Sequence, residues 1–328
     1  MNREGHAVSA ASLGSGNTRF TPRVPTGIVI VTYNSAAVIG ACLDAAIPSG
    51  AEIVVIDNAS SDSTTAEVTR RGLHLIANAT NRGFAAAVNQ GVAVLQQPCI
   101  LLLNPDAILC TGLENLAEAC ELPRAAGAGG TLLDGAGNLQ TGFMIRKLPT
   151  PAALSFEALA LNRLWPGNPV NSAYRELGFD YTRQQPVEQP AGAFLMIRRS
   201  VWQELGGFDE QFWPIWFEEV DFCRRAADRG YLFYYVPLAV AKHTGGHSIP
   251  LLTLEMRRVY WYRSLLRYSS KHFRSRGLRM VCLAVIIGSC LRAPVDSALA
   301  RSLRPLAAYR KVVELAGRVL FGRNMQSI

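Results

Sequence analysis

Four short apolar runs, at residues 28–32, 53–56, 73–77 and 99–103, recur within the first third of the chain, and each stops at a polar cluster. Between them lie segments with helical spacing: 35–46, with Val38, Ile39, Cys42 and Leu43 on one stripe; a stretch running to Arg71 that Ser60, Ser61 or Asp62 can cap; and 84–95. This alternation predicts an α/β fold with a mostly parallel, doubly wound sheet. The clusters Thr32-Tyr33-Asn34, Asp57-Asn58, 78–82 and Asn104-Pro105-Asp106 should then share one rim, at the carboxyl ends of the strands, where open sheets of this kind keep their ligand crevice. The fourth run is the sharpest: Ile-Leu-Leu-Leu breaks at Asn104-Pro105 and delivers one carboxylate, Asp106, placed to hold a divalent cation against a diphosphate. The competing reading is that these three residues only turn the chain.

Beyond Leu133 the pattern changes. Residues 134–189 are rich in Gly, Pro and Asn, with an apolar patch at 152–165, and are expected to form a long variable excursion suited to acceptor recognition. Strand character returns at 191–197, Ser200 can cap a short helix to Leu205, residues 218–229 have the length of a helix, and 231–236 form an aromatic strand. A long Arg-rich helical segment follows at 251–273. Residues 280–291 are then apolar without interruption between Arg279 and Arg292. Twelve such residues are too few to span a bilayer, which takes about 20, so an interfacial segment or a buried helix is expected there.

Charge divides the chain in the same place. Residues 256–328 hold 15 Lys and Arg against two acids, Asp296 and Glu314, a local charge of +13, whereas the whole chain carries +8. The preceding body is therefore mildly acidic, and the basic tail points to an anionic partner, a membrane or a nucleic acid. Seven Cys residues, with no Cys-x-x-Cys pair, fit reduced core thiols and suggest neither a zinc site nor a disulfide framework. Residues 1–25 lack an apolar run and are expected to be a mobile leader, not a secretory signal.

The motifs, taken in order, resemble those of the family 2 glycosyltransferases, inverting enzymes with a GT-A fold, and in particular their bacterial rhamnosyltransferase-like branch. The matching stretches are Ile30-Val31-Thr32-Tyr33-Asn34, Val55 through Asp62, Asn81-Arg82-Gly83-Phe84-Ala85 with Asn89 and Gly91, Leu103-Asn104-Pro105-Asp106, Gly206-Gly207-Phe208-Asp209-Glu210, Phe217 through Cys223, and His243 with Gly246 and Ser248. The organisation this implies is a leader (1–25), a GT-A domain (26–250) whose nucleotide-sugar half is 26–133 and acceptor half 134–250, and a basic helical extension (251–328) that associates with a membrane.

Roles follow residue by residue. The resemblance implies that Thr32, Tyr33, Asn34, Asp57, Asn58, Arg82, Gly83, Asn89 and Asn104 bind the nucleotide-sugar. Chemically, Gly83 lets backbone approach the ligand and Arg82 offsets phosphate charge. Asp57 has a capping turn as its alternative role, and Asn89 has helix packing. Asn104-Pro105-Asp106 stands where the family has Asp-x-Asp, so one metal ligand is neutral here; Asp106, with His243 as the further ligand, would hold Mg²⁺ or Mn²⁺. Glu218, Glu219 and Asp221 open a helix, where the dipole alone would favour acids. The aromatic residues around them, Phe212, Trp213, Trp216, Phe217 and Phe222, would desolvate a carboxylate and make it a better proton acceptor. The family's usual base is Asp; Glu219 occupies that position, with Glu218 as a contender, and Asp221 is expected to orient neighbours through Arg224 or Arg225.

The expected donor is dTDP-L-rhamnose or a UDP-sugar. The expected acceptor is a saccharide, carried on a polyprenyl diphosphate at the inner face of the cytoplasmic membrane, in cell-surface polysaccharide or O-antigen synthesis, with no nucleic acid involved. Two other classes compete. A metal-dependent nucleotidyltransferase would normally carry a Gly-rich basic loop after the first strand, which Thr32-Tyr33-Asn34-Ser35 does not supply, and a dehydrogenase would carry Gly-x-Gly-x-x-Gly there. A non-enzymatic surface-binding module would leave the acid cluster without a use.

Overall fold

The computed structural model describes residues 24–245 and 252–323. Most of the expected leader, together with Gly246 and Ser248 of the histidine motif, lies outside the described residues. In chain order the elements are β1 (Thr26–Thr32), α1 (Ala36–Ala46), β2 (Glu52–Asp57), α2 (Thr64–Thr69), β3 (His74–Ala77), α3 (Phe84–Val94), β4 (Cys99–Leu103), β5 (Ala107–Thr111), α4 (Leu113–Ala119) and β6 (Ala125–Leu133). The second half adds β7 (Ile145–Arg146), α5 (Pro151–Ala158), α6 (Leu161–Leu164), α7 (Pro169–Tyr174), β8 (Gln185–Val187), β9 (Gln189–Pro190), β10 (Phe194–Arg198), α8 (Arg199–Leu205), α9 (Glu218–Asp228) and β11 (Leu232–His243). Three helices close the chain: α10 (Leu254–His272), α11 (Ser275–Ala300) and α12 (Arg304–Leu320).

The expected βα alternation is present and is explained by side-chain period. Along β1, β2 and β4, Ile28, Ile30, Val55, Leu101 and Leu103 enter a core shared with α1 and α4, while Val29, Val31, Val54, Ile56 and Leu102 enter a second core under α3, α8 and α9. Both faces of these strands are therefore dry, which is why they read as unbroken apolar runs. Gly91 lets α3 lie close on β1, since a Cβ there would come within 2.6 Å of Val29 Cγ1.

The main sheet runs β3-β2-β1-β4-β10-β6-β11-β5, with β8 also pairing β11. Its first part, β3-β2-β1-β4, is parallel as the alternation predicts. The rest corrects the expectation to a mixed sheet. β10 is antiparallel to both β4 and β6, β6 and β11 are parallel, and β5 and β8 run antiparallel to β11. The cause is the excursion: it leaves β6 at the rim where β4 also ends and returns to that rim, so β10 has to run back through the sheet. The same path brings the start of α9 and the end of β11 to the rim.

Residues 134–189 are not a long loop. They contain three short helices and three short strands, because the apolar patch at 152–165 has a partner far downstream: Leu154 and Ala158 share a third core with Phe212, Phe217 and Val220 and with α10, α11 and α12. The C-terminal helices are thus packed against α5 and the segment leading into α9. The apolar stretch at 280–291 is also longer than expected in structural terms, since it lies within the 26-residue α11, which by length and composition alone could cross a membrane. All seven cysteines are free; five are buried as expected, whereas Cys110 and Cys290 are exposed.

Candidate active site

Polar groups from three strand ends are knitted together at the rim. The buried Asp57 carboxylate accepts hydrogen bonds from Thr32 Oγ1 (2.8 Å), Ser60 N (2.9 Å) and Ser60 Oγ (2.5 Å). Asn34, in the left-handed region at φ 49°, donates from its backbone N–H to Ser60 Oγ and accepts from Ser61 N at 2.7 Å. Asn58 Oδ1 accepts from Arg82 N (3.0 Å) and Asn58 Nδ2 donates to Gly83 O (3.1 Å), so it fixes the loop before α3. These contacts are those of a turn and a seam, and they leave the half-buried Tyr33 and the exposed Arg82 as the side chains facing outward from it. Among the described residues no acid pairs with Arg82.

Gly83 has φ 87°, and a Cβ there would lie 2.7 Å from Trp213 Cδ1. Phe84 N donates to Pro214 O at 2.8 Å. The segment leading to α9 therefore passes directly over the amino terminus of α3. Asn89, expected at the base or sugar, is used otherwise: Nδ2 donates to Phe208 O (2.9 Å) and Glu210 Oε1 (3.0 Å), and Oδ1 accepts from Phe208 N (2.9 Å). Its amide is thus engaged by the 206–210 turn, contacts of the kind the helix-packing alternative describes.

Asn104 to Asp106 carry the chain over the rim from β4 to β5 at the opposite edge of the curled sheet. Asp106 and His243 are both buried, and His243 Nε2 lies 3.4 Å from Asp106 Oδ1. Gln140 sets the imidazole. Its Nε2 donates to His243 O at 2.7 Å, which orients the amide so that Oε1 accepts from Nδ1 at 3.1 Å. The proton then resides on Nδ1 and Nε2 keeps its lone pair. Phe143 stacks on the ring, with centroids 5.4 Å apart. Nε2 is buried with no hydrogen-bond partner among the described residues. An orphaned imidazole nitrogen beside a carboxylate oxygen is the donor set a divalent cation requires, with remaining positions for phosphate and water. Among the described residues no cluster of three or more His, Cys, Asp or Glu ligands occurs, and Asp106 and His243 are the two that stand together.

The acid cluster is held by a strained approach: Trp216 and Phe217, both non-glycine, have φ 79° and 71° immediately before α9. Glu218 is buried, with Oε2 unpartnered among the described residues, and burial together with the neighbouring Glu219 charge pushes its carboxyl well above the ordinary range. Glu219 is half-buried, and burial raises it too. Asp221 differs. Burial alone would raise it, but the hydrogen bonds from His272 and Lys271 and the charge of Arg225 outweigh that and bring it to about 2. Arg225 Nε is 2.7 Å from Asp221, and Arg224 pairs instead with Asp228, which decides between the two partners expected. Lys271 and His272 were not signalled by the sequence, where they are two basic residues among many at the end of an Arg-rich helix.

The two groups of acids meet at one rim. Phe194 of β10 is in register with Leu103 of β4, and Asn104 N donates to Ala193 O at 3.0 Å. Glu219 packs on the residue before, since a Cβ on Gly192 would lie 3.3 Å from Glu219 Cγ. Asn104, two residues before Asp106, and Glu219 thus contact adjacent residues of the same short stretch of backbone, although Asp106 and Glu219 are 113 positions apart in the chain, and the Arg82-Gly83 loop is reached through Trp213 and Pro214.

A mixed sheet of this order, with acids and an imidazole on its carboxyl rim and helices behind, defines a GT-A-type glycosyltransferase. The glycosyl transferase family 2 profile matches residues 27–206, and the chain belongs to that family. The match covers the strand-end clusters and Asp106 but stops short of Glu218, Glu219 and His243. Among characterised proteins the chain is similar to the N-acetylglucosaminyl-diphospho-decaprenol L-rhamnosyltransferase of Mycobacterium tuberculosis, 29% identical over 243 residues, 67% of this chain and 76% of that protein. It is also similar to the low-salt glycan biosynthesis hexosyltransferase Agl10 of Haloferax volcanii, 28% identical over 61% of this chain and 60% of that one. In fold it is similar to the mannosyltransferase PcManGT from Pyrobaculum calidifontis, solved with GDP-Man and Mn²⁺, with TM-score 0.53 and 16% identity over 92% of this chain and 88% of that one. GalNAc-T7, solved with UDP, GalNAc and Mn²⁺, gives TM-score 0.51 and 17% identity over 77% of this chain and 50% of that one.

Proposed function

We propose that this glycosyltransferase moves L-rhamnose from dTDP-L-rhamnose, with inversion, onto a saccharide carried on a polyprenyl diphosphate, as a step in cell-surface polysaccharide or O-antigen synthesis. The observation that carries the reading is the common rim, where the segment 104–106, which carries Asp106, and Glu219 both adjoin residues 192–193. The similarity to a rhamnosyltransferase acting on a decaprenol-linked sugar supports the donor and acceptor assignments.

Glu219 is the base. It is the more accessible of the two raised carboxyls, and a desolvated carboxylate accepts a proton more readily near neutral pH. It takes the proton of the acceptor hydroxyl as that oxygen bonds to the anomeric carbon, and the bond from that carbon to the diphosphate oxygen breaks with its electron pair. Arg82 and the amino terminus of α3 offset the charge on the departing nucleoside diphosphate. Asp106 and His243 would hold Mg²⁺ or Mn²⁺, which when bound supplies Lewis-acid stabilisation of that diphosphate. Glu218, buried and with its carboxyl pushed well above the ordinary range, favours less negative charge beside the base. Tyr33, with Asn34 and Asp57 shaping its turn, faces the base and ribose. An acceptor of this kind places the reaction at the inner surface of the cytoplasmic membrane.

A panel of dTDP- and UDP-sugars, with Mn²⁺ and with or without a polyprenyl-diphosphate saccharide, tests the reading by nucleoside diphosphate release. Release fastest with dTDP-L-rhamnose, and raised by acceptor, is the expected result. Release with no sugar nucleotide would reject it.

A further inference from the structure

Along α11, Met280, Leu283, Ile287, Leu291, Val295 and Leu299 recur at helical spacing and are between 42% and 80% exposed. The opposite face, including Val281, Val285 and Ala293, is buried against α5, α10 and α12. Two charged residues lie between Arg279 and Arg301, and both turn inward. Arg292 donates to Gly288 O (2.9 Å) and Ala158 O (2.5 Å), and Asp296 accepts from Arg258 and from Tyr309 Oη at 2.7 Å. The outward face is thus an uncharged apolar strip on a helix roughly 39 Å long. At its ends stand the exposed Arg276 and Arg279, and Arg301 and Arg304; among the described residues none of the four pairs with an acid.

Resting on the lipid-linked acceptor proposed above, we infer that this face of α11 is the surface by which the enzyme lies on an anionic lipid leaflet, parallel to it, with the apolar strip in the headgroup boundary and the terminal arginines on lipid phosphates. Both components of interfacial binding lie together: apolar area to bury along α11, and cations at its start, at its C-cap and at the start of α12 to meet anionic headgroups. Self-association through the same face is disfavoured by the charges. An antiparallel pair would set Arg276 and Arg279 against Arg301 and Arg304, a parallel pair would set each arginine against its copy, and no acid on the face relieves either arrangement. A spanning orientation would strip Arg292 and Asp296 of the partners they hold on α5, α10 and α12.

Flotation of the full chain tests this, with vesicles of phosphatidylcholine alone or mixed with phosphatidylglycerol. The wild-type protein should float with the mixed vesicles, and less so with neutral ones or at high salt. Ile287→Glu with Leu291→Glu, on the exposed face and therefore compatible with folding, should lower the bound fraction about tenfold or more. Arg279→Ala with Arg301→Ala should lower it less and remove the preference for phosphatidylglycerol. Hydrolysis of dTDP-L-rhamnose in solution should be unchanged in the glutamate variant while transfer to a vesicle-embedded acceptor falls. Equal flotation with both vesicle types, wild-type flotation by the glutamate variant, resistance to alkaline carbonate extraction, or a dimer abolished by the glutamates would each overturn the inference. Flotation that depends on α11 in a protein that turns over no sugar nucleotide would uphold the docking surface and reject the functional reading alone.

Discussion

Three carboxylates within four residues sit in three environments, and the roles proposed for them rest on those differences. Because Glu218 is raised in the folded state, the stability it contributes is fully present below its ordinary value of 4.5 and is lost as pH rises through the raised folded value. Glu218→Gln should therefore stabilise the protein at pH 8, on the order of 1 kcal/mol, with no gain at pH 4, as read from urea unfolding at both pH values. Gln140 is the other residue whose effect is indirect. Gln140→Leu removes the acceptor that keeps the His243 proton on Nδ1, and the Mn²⁺ concentration for half-maximal donor hydrolysis should rise about tenfold or more, as for other partners of metal-binding histidines. An unchanged Mn²⁺ dependence would separate His243 from the metal. The acids, His243 and the Arg82-Gly83 loop stand out as candidates in the sequence because their residue types suggest a chemistry, and the structure brings them to the rim. Gln140 and Asn89 do not stand out for the contacts they make, since an amide says nothing about a partner 103 or 119 positions away.

The β1, β2 and β4 strands are legible for a simple reason: burial on both faces leaves an unbroken apolar run. The α9–α10 seam has no such signature. Asp221, in the first turn of α9, meets His272 Nε2 at 2.7 Å and Lys271 Nζ at 2.8 Å, while Ser264 Oγ donates to Ile215 O and Tyr268 packs on Phe217. The helix that follows the GT-A half therefore holds the backbone on which Glu219 is mounted. Removing Asp221 takes the buried counter-charge from Arg225 and Lys271 and the acceptor from His272, so Asp221→Ala should cost about 3–5 kcal/mol, seen as a lower urea midpoint at unchanged slope. In the wild-type protein the same group, lowered to about 2, contributes stability that is present above its ordinary value of 3.8 and lost as pH falls through about 2. Acid unfolding of the variant should accordingly lack that component.

Two halves with different logic make up the molecule. The parallel half is largely local in sequence, with β1–β2 and β2–β3 one βα unit apart and only β1–β4 a longer crossover, and its architecture follows from pattern. The antiparallel half and the helical layer depend on contacts such as Ala158 with Gly288, where a Cβ would meet the Ala158 carbonyl at 2.1 Å, and no local spacing announces those. That layer unites the rim, the α9 approach and the outward face of α11 in one body, so a lipid surface under α11 has a fixed relation to the cleft. In the proposed function the halves are joined through Asp106 and Glu219, whose segments both adjoin residues 192–193. Sugar transfer by purified wild-type protein, Glu219→Gln and Asp106→Ala, measured with dTDP-L-rhamnose, acceptor and Mn²⁺ and with folding checked by circular dichroism, tests their joint role. Both folded variants should lose at least about a hundredfold in rate, and the wild-type product should carry the inverted anomeric configuration; full activity in either variant, or a retained configuration, would contradict it.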